Sequence, residues 1–187
     1  NETGHLVRAY NTLGVVAIGL EDYDRALDYF RQARSSLEQM QGVEEELVRN
    51  ANNMGMVYRD KGDFEQALLY FKEIVEKEAI KKKYPALYAK ALSNFSFCRL
   101  QLKEPSGISE LLDVSLKIND SLGDLTNKAE VHSILAELHL MTKDTLNAIN
   151  KSLISKELAR ESGNYDRLLE ELAFLSQVDT KNASRHA

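Results

Sequence analysis

The fold of this chain is constrained most by small residues that recur at a fixed interval. One column recurs at intervals of 41, 41 and 40 residues, at Gly14, Gly55, Ser96 and Ala136. A second column lies twelve residues later, at Ala26, Ala67, Ile108 and Ala148. A fixed period in this range is typical of a repeat architecture, in which each unit is one supersecondary element that packs on its neighbours.

Each repeat contains two amphipathic patterns with the period of a helix. In the second repeat, apolar residues follow the i, i+3, i+4, i+7 spacing of one helical face. These residues are Met54, Val57 and Tyr58 in the first pattern, and Phe64, Ala67, Leu68 and Phe71 in the second. The two columns of small residues predict that the helices of a pair cross closely, since larger side chains would push the backbones apart. Phe30 and Phe71 are predicted to fill the space between neighbouring pairs.

Residues at the break between the two patterns predict how one helix ends and the next begins. Gly62 allows a left-handed backbone at the end of the first helix. The carboxylate of Asp63 can cap the helix that follows. Asp22 and Asp144 occupy the same place in the first and fourth repeats, so they are predicted to be caps as well.

Together these residues resemble the tetratricopeptide repeat family. In the first repeat the matching residues are Leu13, Gly14, Tyr23, Ala26, Phe30 and Ala33. In the second repeat they are Gly55, Tyr58, Gly62, Asp63, Phe64, Ala67 and Phe71. The resemblance extends from about Val7 to Ser176, and the period exceeds the usual length of roughly 34 residues by about two helical turns. Such long repeats are similar to those of bacterial sensor and regulator proteins and of some eukaryotic polarity adaptors.

The resemblance implies an all-α fold, a right-handed superhelical α-solenoid of antiparallel helix pairs, with four pairs and a final helix. We expect one domain over residues 1–178, with repeats at about 3–42, 43–83, 84–122 and 123–163 and a partial repeat at 164–178. Helices are predicted at about 3–19, 23–40, 43–61, 64–81, 85–102, 106–121, 124–141, 144–162 and 165–178. Residues 179–187 form a polar tail that we expect to be disordered.

The later repeats depart from the pattern. In the third repeat, Ile108 replaces the small residue of the second column, and residues 105–107 replace the Gly-Asp turn. We therefore expect the third pair to pack differently. The final helix carries an apolar stripe, which is expected to dock on the helix that holds Ile149 and Leu153. The stripe consists of Leu168, Leu169, Leu172 and Leu175.

Composition excludes several classes of function. The net charge is -5, and a basic surface along many repeats is absent, so we expect no direct binding of nucleic acid. No apolar run approaches the roughly 20 residues that span a bilayer, so we expect no membrane insertion. The chain begins at Asn1 without a signal peptide, and we interpret it as part of a longer protein. The compartment stays open: cytoplasmic or, within a membrane-anchored sensor, periplasmic.

Residues that could carry chemistry do not form a constellation. His132 and His139 lie seven residues apart on the core-facing side of one predicted helix, and no other ligands with zinc spacing accompany them. Cys98 is predicted to be an inert core thiol, because no histidine is placed to activate it. There is no glycine-rich phosphate loop. We therefore predict no catalytic residues, no metal site, no cofactor and no enzyme activity.

The resemblance implies that the first helix of each pair lines a concave groove. The candidate groove residues are Arg8, Asn11, Val15, Arg49, Asn52, Asn53, Met56, Arg59, Lys90, Asn94 and Phe97. Three repeats thus offer a basic residue, a side-chain amide and an apolar side chain at the same height. Amides can pair with a peptide backbone, and the cations can pair with a carboxylate. Alternatively, the amides of Asn53 and Asn94 brace neighbouring helices.

These patterns predict a non-enzymatic module that recognises a protein or peptide ligand in the groove. The resemblance implies the sensor or interaction region of a larger bacterial signalling or regulatory protein. The alternative is a constitutive assembly scaffold or a platform for homo-oligomerisation, including a homodimer.

Overall fold

Helices account for most of the part of the chain that the structure describes. The computed structural model describes the backbone of residues 2–183 and the side chains of residues 2–178. Within that part there are ten helices and no strand. The helices are α1 (Glu2–Gly19), α2 (Tyr23–Leu37), α3 (Glu44–Asp60), α4 (Phe64–Val75), α5 (Glu78–Lys83), α6 (Pro85–Gln101), α7 (Ile108–Leu122), α8 (Leu125–Met141), α9 (Thr145–Ser162) and α10 (Tyr165–Ala183). The predicted all-α fold of repeated helix pairs is confirmed.

The helices divide between two compact units, Asn1–Leu102 and Lys103–Ala187. In unit 1, α1 packs on α2, α2 on α3 and α3 on α4, and α6 packs on both α3 and α4. In unit 2, α7 packs on α8, α8 on α9 and α9 on α10. The division falls inside the third predicted repeat, between its first and second helices. The single domain predicted for residues 1–178 stays a prediction.

The glycines of the first column allow the helices of a pair to touch. A Cβ atom added at Gly14 would lie 2.7 Å from the Phe30 ring, and one added at Gly55 would lie 2.6 Å from the Phe71 ring. Both phenylalanine side chains are fully buried. A methyl group cannot fit at that distance unless the ring moves, so the predicted close crossing is confirmed in both repeats.

The turn between the two helices has the same left-handed conformation in all four repeats, although the sequence predicts it in only one of them. Four residues at equivalent repeat positions have a positive φ: Glu21 (58°), Gly62 (82°), Lys103 (61°) and Lys143 (63°). Only one of the four is the glycine that usually occupies this left-handed position at a helix end. The fold therefore keeps the turn even where a side chain opposes it.

Aspartates begin the second helices of three repeats, as predicted. The carboxylates of Asp22, Asp63 and Asp144 accept hydrogen bonds from backbone N–H groups three residues later, each at 3.2 Å. Asp124 caps α8 in the same way at 2.9 Å. Each cap satisfies a donor that a helix start leaves unpaired.

The helix predicted over residues 64–81 is wrong, because the chain breaks between α4 and α5. Lys77 has an extended backbone, with φ -104° and ψ 99°. Ile74 and Ile80 are both buried. Six residues turn a continuous helix by roughly 240°, which would place these two side chains on different faces. The break allows both to reach the core.

The packing face predicted for the final helix is wrong for two of its four leucines, while Leu168 and Leu175 are partly buried. Leu169 and Leu172 are 65% and 49% exposed, whereas Glu171 between them is buried at 2%. Glu171 accepts hydrogen bonds from Ser152 and Ser155 of α9, at 2.5 and 3.0 Å. The repeat interval explains this rotation, because Glu171 lies 40 residues after a buried valine of α8. The helix continues to Ala183, and residues 184–187 of the predicted tail lie outside the described residues.

Candidate peptide-binding surface

The predicted groove residues lie on α1, α3 and α6 of unit 1, but they differ in exposure. Three are exposed: Arg8, Val15 and Arg49. Six are partly buried: Asn11, Asn53, Met56, Arg59, Lys90 and Phe97. Two are buried, Asn52 at 2% and Asn94 at 0%. We call this set the amide face, because asparagine is the residue type that all three helices share.

The two buried asparagines connect α3 to α6. Asn94 Nδ2 donates to Asn52 Oδ1 at 3.5 Å, and Asn52 Nδ2 donates to the Met56 sulfur at 3.3 Å. Arg59 Nη1 in turn donates to Asn94 Oδ1. Buried amides without partners would be costly, so this chain of hydrogen bonds fixes the spacing of the two helices. The side chain of Asn94 therefore braces two neighbouring helices, which is the alternative role that the sequence left open for it.

Arg59 occupies the centre of the amide face. Its Nε and Nη2 atoms both lie 2.9 Å from Asp60 Oδ1. Its guanidinium lies 5.8 Å from the centre of the Phe97 ring, and Phe97 makes an edge-to-face contact with Phe64 at 6.1 Å. Only 19% of the Arg59 side chain is exposed. A cation held by hydrogen bonds and an aromatic ring is pre-oriented, so it loses little conformational freedom on meeting a ligand.

The basic residues at the edge of this face are less free than the sequence indicates. The exposed Arg49 forms a salt bridge with Glu45, four residues earlier, at 2.8 Å. Arg8 Nη2 lies 3.1 Å from His5 Nδ1. Lys90 is partly buried on α6. An exposed helical ion pair contributes little stability, so Arg49 can leave Glu45 for another carboxylate at small cost.

Two further asparagines, Asn11 and Asn53, occupy the same repeat positions as Asn52 and Asn94. Asn53 is partly buried on α3. Asn11 Oδ1 on α1 is buried without a hydrogen-bond partner among the described residues. A buried acceptor without a partner is unusual in folded proteins, and a hydrogen-bond donor of a ligand would satisfy it.

Sequence reasoning missed a cleft on the other side of α3. It has a volume of about 410 Å³ and lies between α2 and α4. Its wall includes Arg31, Arg34, Met54, Leu69 and Tyr70. Arg34 is bound on both sides, by Glu38 at 3.1 Å and by Glu73 at 3.0 Å. The cleft could have been found from the helical spacing of Arg31 and Arg34, but its cations already have carboxylate partners.

The residues considered for chemistry sit in inert surroundings. Burial raises the pKa of the Cys98 thiol to about 12, so the nucleophilic thiolate is disfavoured. Burial also lowers the pKa of His132 to about 4. His139 Nδ1 lies 3.5 Å from Asp144, which caps α9. No group of three potential metal ligands occurs within the described side chains.

Comparison with known proteins identifies one family. A family model described as Tetratricopeptide repeat matches residues 5–77. The matched segment contains most of α1 and all of α2, α3 and α4, which include most of the amide face. A search of curated proteins found no match. None of the helices in the described part of the chain is long and apolar enough to cross a membrane.

Proposed function

We propose that this chain, which matches a tetratricopeptide repeat model over residues 5–77, recognises a peptide segment on its amide face. Repeats of this family generally mediate protein–protein interaction and are typically non-enzymatic. The proposal assigns that general role to one surface, the shared face of α1, α3 and α6.

The observation that carries the proposal is the connected group formed by Asn52, Asn94, Arg59 and Phe97. Its members come from two helices and bind one another rather than solvent. Asn53, Met56 and Phe97 remain partly accessible beside it. The group therefore offers a rigid floor on which accessible apolar and amide groups are already placed, and such preorganisation favours binding.

The chemistry of the face favours an acidic segment that also carries an apolar side chain. Arg8, Arg49 and Lys90 recur at the same repeat position and attract negative charge. Asn53 can pair with the ligand backbone, because an amide both donates and accepts. Met56 and Phe97 would hold the apolar side chain, with methionine adapting in shape. In this arrangement, Asn52 and Asn94 position the floor and do not touch the ligand.

In its biological setting, we propose that the module is the sensor or interaction region of a larger bacterial signalling or regulatory protein. Its repeat length, similar to that of such sensors, motivates this proposal. It would act in the cytoplasm or, within a membrane-anchored sensor, in the periplasm. The second candidate is an assembly scaffold. Salt-dependent peptide binding by a monomer supports recognition, whereas a stable oligomer that shields the amide face supports the scaffold.

The test is a selection of binders from a phage-displayed library of random peptides, followed by binding kinetics on the selected peptide. We expect enrichment of acidic peptides. Replacing Arg49 and Lys90 together with Glu should slow association by at least about tenfold at low salt and flatten its salt dependence. Asn53→Ala should instead speed dissociation.

The matched control is Lys72→Glu on α4, because Lys72 also forms an exposed pair with a glutamate four residues away, at 3.4 Å. A second control, Asp28→Lys, changes the charge of α2. Both should leave binding unchanged. If they matter as much as the changes on α3 and α6, the amide face is not the binding surface.

A further inference from the structure

Helix α1 carries an apolar stripe that none of the other described residues of unit 1 covers. Its members are spaced by three and four residues in alternation, which is the seam of a coiled coil. They are Leu6, Ala9, Leu13, Val16 and Leu20. All five are exposed, with Leu6 at 45%, Leu13 at 42%, Val16 at 53% and Leu20 at 72%. We call these five residues the α1 seam, and it lies beside the amide face rather than on it.

The repeat interval shows what this face does in the other first helices. On α3, the residues equivalent to Leu6 and Leu13 are Leu47 and Met54, and both pack against the core that α2 helps to form. This face of a first helix is therefore a helix-docking face. On α1 it meets no helix among the described residues.

First helices with a preceding second helix also place a polar anchor on it. Asn50 of α3 donates to the Phe30 carbonyl of α2 at 2.9 Å, and Tyr88 of α6 donates to the Val75 carbonyl of α4 at 3.2 Å. Lys128 of α8 pairs with Asp120 of α7 at 2.6 Å. Glu171 of α10 accepts hydrogen bonds from α9.

These anchors occupy only two repeat positions, and in α1 those positions hold Leu6 and Ala9. The position of Lys61, which pairs with Asp24 of α2 at 2.6 Å, is held by Leu20. The α1 seam thus has the docking geometry of the first helices in the other repeats, but it lacks the polar groups with which those helices bind a preceding repeat. It suits a partner with an equally apolar helical stripe.

We propose that the partner is the α1 seam of a second copy of this chain, packed antiparallel about a two-fold axis near Leu13 and Val16. A two-fold interface requires a surface that is complementary to itself. The seam meets this requirement because it is entirely apolar, and its flanking residues include no acid, lysine or arginine. These flanking residues are His5, Tyr10, Thr12, Ala17 and Gly19. Two copies can therefore approach without burying like charges.

One helix pair buries little area, so the dimer forms at roughly micromolar concentrations rather than below them. Sedimentation velocity over a concentration series should show a monomer–dimer equilibrium. Leu13→Glu and Val16→Lys should each raise the dissociation constant by at least about tenfold, because the change occurs twice per dimer. Both positions are exposed in the single chain, so circular dichroism should show an unchanged fold. The control Leu69→Glu, at a 58% exposed position on α4, should leave the dimer intact.

A covalent readout tests the two-fold axis directly. Leu13→Cys should form an intermolecular disulfide under mild oxidation, and Leu69→Cys should not. The native Cys98 does not interfere, because it is buried. The proposal is overturned if the chain stays monomeric across the series, if the seam variants dimerise as well as the original chain, or if larger open-ended species form. Peptide binding on the amide face is measured separately, so either proposal can fail without the other.

Discussion

At the scale of single residues, the repeat depends on pairs whose sizes match. Gly14 faces Phe30, and Gly55 faces Phe71, with the rings within 3 Å of where a Cβ atom would stand. In the fourth repeat the same two positions hold Ala136 and Ser152, both buried. A larger residue in the first column is thus accompanied by a smaller one in the helix that follows. The residue of the first column is small in all four repeats, whereas the residue that follows varies in size from Ser152 to Phe30.

This pairing predicts a destabilising substitution that a second substitution repairs. Gly55→Leu should lower the free energy of unfolding by at least about 1–3 kcal/mol, because the crossing becomes overpacked. The smaller change Gly55→Ala should be partly rescued when it is combined with Phe71→Leu, which removes the ring that the methyl group meets. Thermal or urea unfolding measures both effects. A melt that Gly55→Leu leaves unchanged would show that the helices do not cross there.

His132 predicts a dependence of stability on pH. Burial, helped by the charges of Lys151 and Lys128 and opposed by Asp120, lowers the pKa of the folded imidazole to about 4. Its Nδ1 atom is buried without a hydrogen-bond partner among the described residues. The unfolded imidazole has a pKa of about 6.5, so below that pH the unfolded state binds a proton that the folded state does not. Stability contributed by the neutral ring is therefore present above about pH 6.5 and is lost as pH falls toward 4.

The test compares the free energy of unfolding of the original chain with that of His132→Gln. Both proteins are unfolded in urea at pH 7 and at pH 4.5. The original chain should lose on the order of 1–3 kcal/mol more than the variant between these two values. The other acidic and basic groups are common to both proteins, so the difference isolates the imidazole. An equal loss in both would mean that His132 titrates in the folded state much as it does in the unfolded state.

At the scale of helices and turns, local signals predicted the parts that one residue controls. The Asp caps and the glycine turn at Gly62 were predictable, because a single side chain creates each of them. The left-handed turns at Glu21, Lys103 and Lys143 were not, because no residue there favours a positive φ and the packing of the flanking helices imposes it. The rotation of α10 was missed for a similar reason. A leucine stripe indicated one face, yet the serines of α9 accommodate Glu171 and the repeat register prevails.

The turns that lack glycine predict a gain in stability. Lys143→Gly should raise the free energy of unfolding by about 0.5–1 kcal/mol, since glycine adopts a positive φ without the steric cost of a Cβ atom. Thermal unfolding measures the gain. The opposite change, Gly62→Lys, should cost a similar amount in the second repeat. If Lys143→Gly destabilises the chain, the greater freedom of glycine in the unfolded state outweighs the relief of strain.

The candidate site shows the same limit of sequence reasoning. The repeat columns placed all eleven residues on the first helices of three repeats, where the structure has them. They did not reveal that Asn52 and Asn94 face each other. If a helix rotates about its axis by a fraction of a turn, a side chain that would contact a ligand contacts a neighbouring helix instead. Arg59 became central through Asn94 and Phe97, which lie 35 and 38 residues away in the chain. Such pairs depend on helix packing and not on local sequence.

At the scale of the whole molecule, the sequence and the contacts divide the chain differently. The repeat interval assigns α6 and α7 to one repeat, whereas the boundary between the two compact units falls between them. In a repeat array, single repeats do not bury their apolar faces alone, and stability arises from each repeat together with its neighbours. The repeat therefore predicts that unfolding is cooperative across the boundary and occurs in one transition.

Single tryptophans can test this prediction, because the chain contains none. Tyr70→Trp reports on α4 in unit 1, and Phe174→Trp reports on α10 in unit 2. Both positions are partly buried, so unfolding should change the fluorescence of either probe. We expect the two thermal transitions to coincide. Adding Gly55→Leu, which perturbs unit 1 only, should then lower both midpoints by the same amount, since a cooperative unit shares the cost of any defect within it. If the probe in unit 2 keeps its original midpoint, the two units are separate domains. The predicted single domain over residues 1–178 would then be wrong.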